Sequence, residues 1–169
     1  MSEDTHLIRR MKNGDESAIE EFVRKYYPKI LQYCRIHTSD QQSAEDMTQE
    51  TFLRFFRTLP NYQHYGKAAN YLYVIAGNCC RDDWRRVKSL SLEDVPELSA
   101  DDMEELTQVR LALSQLPEDE REVAILFFVQ ERRQTEIAKI LGIGLPLVKY
   151  RVGKARKTLR KLLGEEDKP

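Results

Sequence analysis

Glycine is scarce in this chain, seven in 169 residues, and none of it forms a run that could cradle a phosphate group. Cysteine is scarcer still. Cys34, Cys79 and Cys80 cannot all pair, and no C-x-x-C or neighbouring histidine gives them zinc-ligand spacing, so they read as buried thiols acting as small hydrophobes. Nothing approaches the roughly 20 apolar residues that span a bilayer, and the opening MSEDTHLIRRMKNGDESA holds no apolar stretch. The expected setting is the cytosol, without membrane insertion. The three histidines and three cysteines suggest no pairing of nucleophile with base. These absences argue against an enzyme: no catalytic residue, metal or cofactor is expected.

Charge, by contrast, is plentiful, at 33% of residues, and its net value of -1 conceals a strong segregation. Between Glu93 and Glu105 stand seven acids and no base, a stretch that repels DNA. From Arg132 to Lys161 there are ten cations against Glu136 alone, a net of +9 that can seek phosphate.

Apolar residues recur at three- and four-residue steps almost throughout, which predicts an all-α fold. A short helix, about Thr5 to Lys12, ends at Asn13-Gly14, and Asp15 caps a second carrying Ala18, Phe22 and Tyr26 on one stripe. Pro28 marks a joint, after which Ile30, Leu31 and Cys34 resume the pattern up to the polar break at 37–40. There Ser39 and Gln42 fit a capping box. The next helix, about Asp40 to Leu59, turns Ala44, Met47 or Thr48, Thr51 or Phe52, and Phe55 inward, and shows Asp46, Gln49, Glu50 and Arg57 outward. A loop from Asn61 to Lys67 precedes a helix, about Ala68 to Val87, that buries Leu72, Ile75, Ala76 and Cys79 and shows Asn78, Arg81, Asp82 and Arg85. Ser89 to Ala100 reads as a linker. Beyond it, Met103, Leu106, Val109 or Arg110, Leu113 and Leu116 mark one helix. Val123, Ala124, Phe127 and Phe128 mark another. Two more are expected: about Thr135 to Leu141, with Ile137, Ala138 and Leu141 inside, and about Pro146 to Leu163, with Val148, Val152, Ala155, Leu159 and Leu162 inside.

Three constellations stand out. QTEIAKILGIGLPLVKYRV, Gln134 to Val152, fits a helix-turn-helix: Ala138 lets the second helix cross closely, Gly142 permits the sharp turn where a Cβ would obstruct, and Pro146 sits in a first helical turn. Lys149, Tyr150, Arg151 and Lys154 then point toward a major groove, with Arg132 and Arg133 placed to reach phosphates; Arg151 could instead pair with Glu136. The second is AEDMTQETFLRFF, Ala44 to Phe56, where Asp46, Gln49 and Glu50 form one polar patch opposite Phe52, Phe55 and Phe56. The third joins the aromatic loop, Tyr62, His64, Tyr65 and Lys67, to YLYVIAGNCCRDDWRR. Aromatics beside Asn78, Arg81 and Arg85 suit unstacked single-stranded bases, while Trp84 reads as core.

Together these residues resemble the extracytoplasmic-function class of bacterial RNA polymerase sigma factors, within the sigma-70 family, over nearly the whole chain. AEDMTQETFLR looks like the family's polymerase-binding helix, YLYVIAGNxxRD like its promoter-melting helix, and LPEDEREV with EIAKILGI and VKYRVGKARKTL like region four. The resemblance implies two small helical domains, region two at 1–88 and region four at 106–169, joined by a flexible acidic linker at 89–105. It implies that Asp46, Gln49 and Glu50 hold the polymerase clamp. The loop with Asn78, Arg81 and Arg85 would open the minus-ten promoter element, and Leu147, Lys149, Tyr150, Arg151 and Lys154 would read the minus-thirty-five element while region four docks near the flap. An anti-sigma factor is implied as a further partner. Leu147, Tyr150 and Gly153 depart from the family's usual pattern in the recognition helix and put the promoter sequence in doubt. A stand-alone helix-turn-helix repressor would leave the N-terminal half unexplained, and a purely protein-binding adaptor would leave the +9 segment unexplained.

Overall fold

The computed structural model describes residues 3–38, 40–63, 67–88, 103–162 and 164, and among them there is no strand. They fall into two compact units, one within Met1–Glu97 and the other within Leu98–Pro169. The expected linker lies outside the described residues, as do Ser39, His64 and Tyr65 and the side chains of Trp84, Arg85, Met103 and Leu106.

In the first unit α1 (Glu3–Lys12) leads into α2 (Glu16–His37), α3 (Gln41–Thr58), a 3-10 turn (Leu59–Asn61) and α4 (Ala68–Lys88). Gly14 ends the first turn at φ +82, where glycine meets no steric penalty, and the Asp15 carboxylate then accepts from the backbone N–H groups of Ser17 and Ala18. Pro28 breaks nothing, contrary to the joint expected there, because α2 runs through it without interruption. The proline is exposed, so the carbonyl it leaves unpaired can face water, while Phe22, Tyr26, Ile30, Tyr33 and Cys34 stay buried on the other side. The cap of α3 also differs from the expected capping box. Asp40, one residue beyond Ser39, accepts from Ser43 N at 2.8 Å and from the Ser43 hydroxyl at 2.9 Å.

The core of this unit is aromatic. Phe22, wholly buried, stacks on Phe55 with ring centres 4.9 Å apart and meets Tyr26, Phe52 and Phe56 edge-on, so α2 and α3 lock along one seam. Both Thr48 and Thr51 are buried on the inner stripe; their hydroxyls donate to the Ala44 and Met47 carbonyls, each at 2.7 Å, which removes the cost of burying them. All three cysteines are buried thiols, with Cys80 Sγ 3.9 Å from Cys34 Sγ across α2 and α4.

In the second unit α5 (Met103–Ser114) and α6 (Glu118–Ala124) precede a π-helical turn (Ile125–Val129), α7 (Gln134–Leu141) and α8 (Leu145–Leu162). Arg121 joins the first two: its guanidinium donates to the carbonyls of Leu113 at 3.1 Å and Leu116 at 3.0 Å, satisfying the end of α5. The π turn corrects the expected register. Gln130 N donates to Ile125 O, five residues back, and the extra residue rotates Ile125 and Leu126 into the core beside Val123 and Ala124. Phe128, expected inside, is 39% exposed, and Arg156 lies over the rings of Phe127 and Phe128 at 5.9 and 5.8 Å. Ile140 takes the buried place expected for Leu141 in α7, and Leu162, at the last turn of α8, is exposed.

Candidate functional site

Three surfaces carry the side chains singled out by the sequence. On α3, Asp46 and Gln49 are exposed, and Gln42 Nε2 donates to Asp46 Oδ1 at 2.9 Å. Glu50 is half-buried and already paired, its Oε1 accepting from Arg54 Nε at 2.9 Å, and Arg54 continues to Asp82 of α4 at 3.6 Å. Sequence reasoning missed Leu53. It lies seven residues beyond Asp46, on the same helical stripe, and is 52% exposed. Its place in register with that polar patch was visible in the spacing, but the sequence reading assigned Leu53 to neither face.

The second surface lies where α3 meets α4. Arg54, Arg57, Thr58, Tyr71, Ile75 and Asn78 line a cleft of about 280 Å³. Asn78 and Arg81 are exposed on α4, and Arg81 donates to Asn78 Oδ1. Lys67 is exposed as expected, whereas Tyr62 is half-buried, its ring stacked on Tyr71 at 5.2 Å and facing Phe55 at 5.4 Å. Burial, with the nearby Asp4 charge and Tyr71, pushes the Tyr62 hydroxyl up to about 12, so it stays protonated and able to donate. Arg57 and Tyr71 join the cleft although neither was singled out as a contact. His64, Tyr65 and the Arg85 side chain lie outside the described residues.

The third surface is the helix-turn-helix of α7 and α8. Gly142 ends α7 at φ +66, donating to Ala138 O. An added Cβ there would meet nothing within 4 Å, so the turn requires glycine for its left-handed backbone and not, as expected, for space. Val148, Val152 and Ala155 are buried, which leaves Leu147, Lys149, Tyr150, Gly153 and Lys154 on the outer face of α8. The Lys154 ammonium lies 5.3 Å from the Tyr150 ring centre and 3.9 Å from Glu120; the Tyr150 hydroxyl and the Glu120 charge hold it protonated, above its usual value.

Two arginines sit differently from expectation. Arg151 does not pair with Glu136; it reaches Asp119 of α6 at 3.6 Å. Glu136 is engaged by Arg132 at 3.7 Å, with only 12% of either side chain exposed, and accepts from Arg133 N at 3.3 Å in the first turn of α7. Arg132 also donates to Gln130 O at 3.3 Å, so its guanidinium braces the entry to α7 and offers little to a phosphate. Arg133 is exposed. No group of three or more metal-ligating side chains occurs among the described residues, and none of their helices is long and apolar enough to cross a membrane.

Known proteins divide along the same lines. Residues 22–89 match the family model for sigma-70 region 2, and residues 106–159 that for sigma-70, region 4. The ECF RNA polymerase sigma factor SigW of Bacillus subtilis is 29% identical over 176 residues, covering 92% of this chain and 94% of SigW. RNA polymerase sigma factor YlaC of the same organism is 30% identical over 164 residues, covering 89% of this chain and 94% of its own. Among solved structures, CnrH in complex with the cytosolic domain of CnrY matches with a TM-score of 0.77 at 25% identity, over 95% of this chain and 97% of CnrH.

Proposed function

Because the chain belongs to the extracytoplasmic-function class of sigma-70 factors, we propose a residue-level division of labour for binding core RNA polymerase and directing promoter-specific initiation. It is not an enzyme, and phosphodiester chemistry belongs to the polymerase. Region two, 1–88, holds the polymerase clamp through Asp46, Gln49 and Leu53, with Glu50 and Arg54 stiffening the helix behind them. It captures the melted minus-ten strand in the cleft beside Asn78, Arg57 and Tyr71 and on the adjoining loop with Lys67. Protonated Tyr62 packs its ring on Tyr71 at the edge of that cleft, and Arg81 holds the Asn78 amide in orientation. Region four, 106–169, reads the minus-thirty-five element in the major groove through Leu147, Lys149, Tyr150 and Lys154, while Arg133 contacts phosphate.

The observation that carries this reading is the division of α8. Its apolar residues Val148, Val152 and Ala155 are buried while its cations and Tyr150 stay outside, 59% of Tyr150 being exposed. A helix packed only for stability has no reason to hold a large aromatic in water beside lysines; one that lies in a groove does. The +9 segment supplies the sequence-independent part of that binding.

An inhibitory protein partner is also expected. CnrH, which this chain resembles, is in complex with the cytosolic domain of CnrY, and that supports an anti-sigma partner for this chain.

The test is to titrate polymerase holoenzyme, assembled with the full chain, against promoter and scrambled duplexes. Tyr150→Ala narrows the gap between the two by a factor corresponding to about 1 to 3 kcal/mol, and Arg133→Ala weakens both equally. Equal loss on both duplexes for Tyr150→Ala would place α8 on the backbone and sink the reading.

A further inference from the structure

A glycine inside a helix costs stability relative to alanine, and a fold has use for one where the backbone turns left-handed or where a neighbour presses against it. Gly153, in the middle of α8, meets neither need. Among the described residues the glycines at positive φ are Gly14, Gly142 and Gly164, so the backbone at Gly153 is ordinary helix that any residue adopts. Apart from its two chain neighbours and the helix's own backbone, a Cβ added there would meet nothing among the described residues within 4 Å. Gly77 of α4 gives the contrast: a Cβ at that position would stand 3.2 Å from the Tyr33 hydroxyl, so the packing of α2 on α4 accounts for it.

The side chains one turn away from Gly153, those of Lys149, Tyr150, Arg156 and Lys157, all lie beyond 4 Å of that Cβ position. Two of them are held elsewhere. Tyr150 pairs with Lys154, whose ammonium is 5.3 Å from the ring centre and 3.9 Å from Glu120 of α6, and Arg156 lies over the rings of Phe127 and Phe128. Lys149 and Lys157, one turn before and one turn after Gly153 on the same stripe, are both exposed. They stand about 12 Å apart along the axis, and midway between these two cations the surface of α8 is bare main chain.

We infer that Gly153 is the place where the α8 backbone itself comes against the base-pair edges of the minus-thirty-five element, its missing side chain letting the helix seat deep in the major groove. The inference rests on the proposed reading of α8 as the groove-facing helix. A helix with its side chains is about 10 to 12 Å across and the major groove is about 12 Å wide, so the residue that faces the groove floor decides how closely its neighbours reach the bases.

The experiment titrates polymerase holoenzyme, assembled with the full chain, against the promoter duplex it selects from a random pool and against a scrambled duplex. Gly153→Ala raises the melting temperature of the second unit, because alanine is the better helix former and has room. It nevertheless weakens promoter binding about tenfold, the order of one lost base contact, with little change on the scrambled duplex. Gly153→Leu weakens promoter binding further. Leucine and alanine stand close in helix propensity, so a glycine kept only for helix flexibility gives equal losses for the two, and that result overturns the inference. A melting temperature that falls in Gly153→Ala also overturns it, because the glycine then serves the fold. Promoter binding by Gly153→Ala equal to wild type, with Tyr150→Ala narrowing the gap between the duplexes, overturns the inference alone. A gap unchanged by both Gly153→Ala and Tyr150→Ala overturns the groove-facing reading and this inference with it.

Discussion

Arg151 of α8 reaches Asp119 of α6 at 3.6 Å, so one cation of α8 is directed back at its own domain. Asp119 is 75% exposed, which keeps the pair weak, but only 21% of the Arg151 side chain reaches solvent and its stem packs against the domain. Arg151→Ala therefore lowers the melting temperature of the second unit and weakens promoter and scrambled duplexes alike in a salt titration. A loss confined to the promoter duplex would restore Arg151 to the base-reading set.

Asp46 and Leu53 stand on the solvent side of α3, and their replacement separates docking from folding. Asp46→Ala with Leu53→Ala changes stability by no more than about 1 kcal/mol, as expected for exposed side chains, while affinity for core polymerase falls at least tenfold. Glu50→Ala behaves differently because it removes the nearer of the two acids that hold Arg54, leaving only Asp82: it costs measurable stability in thermal denaturation as well as affinity. Unfolding of the Asp46 and Leu53 double variant would make the patch structural.

At Gly142 the backbone is left-handed and the space beside it is open. Gly142→Ala costs about 1 to 2 kcal/mol, from the strain of a Cβ at positive φ, and Gly142→Asn costs less because asparagine tolerates that region. Denaturation of the two variants checks the ranking; equal costs would point to a steric cause.

Acid should loosen the first unit at its α1–α2 corner. Asp15 is held at about 2 by the Ser17 hydroxyl and Arg10, below the usual carboxylate value of about 3.9. Its folded value is depressed, so the stabilisation is complete above pH of about 4 and is lost as pH falls toward 2. Asp4 shifts in the same direction and adds to the loss. Asp15→Asn thus lowers the melting temperature near neutrality and flattens its fall in acid. A slope unchanged by Asp15→Asn would remove Asp15 from the account.

Much of this fold could be read in the residues because helical amphipathicity is a local signal: Phe22, Phe55, Val148 and Val152 lie inside as their spacing requires. Register errors arose where one extra residue changes the phase, as at the π turn that exposes Phe128, which no propensity marks. Pro28 misled because a proline on the solvent face of a long helix carries a smaller penalty than the rule for helix interiors suggests. Among the candidate site residues, outward orientation was legible for Asp46, Asn78, Lys149 and Tyr150. Pairing was not. Glu136 could have met Arg151 or Arg132 by charge alone, and only three-dimensional packing assigns it to Arg132 and leaves Arg151 to Asp119.

The most direct measurement is transcription from purified components: core RNA polymerase with this chain, on a template pool bearing the promoters it selects and scrambled controls. The account predicts transcripts that begin at the selected promoters only, that require the chain, and that are lost when Asn78→Ala and Tyr150→Ala are combined. Polymerase that initiates equally on scrambled templates, or that gives no promoter-specific transcript when this chain is bound, would contradict it.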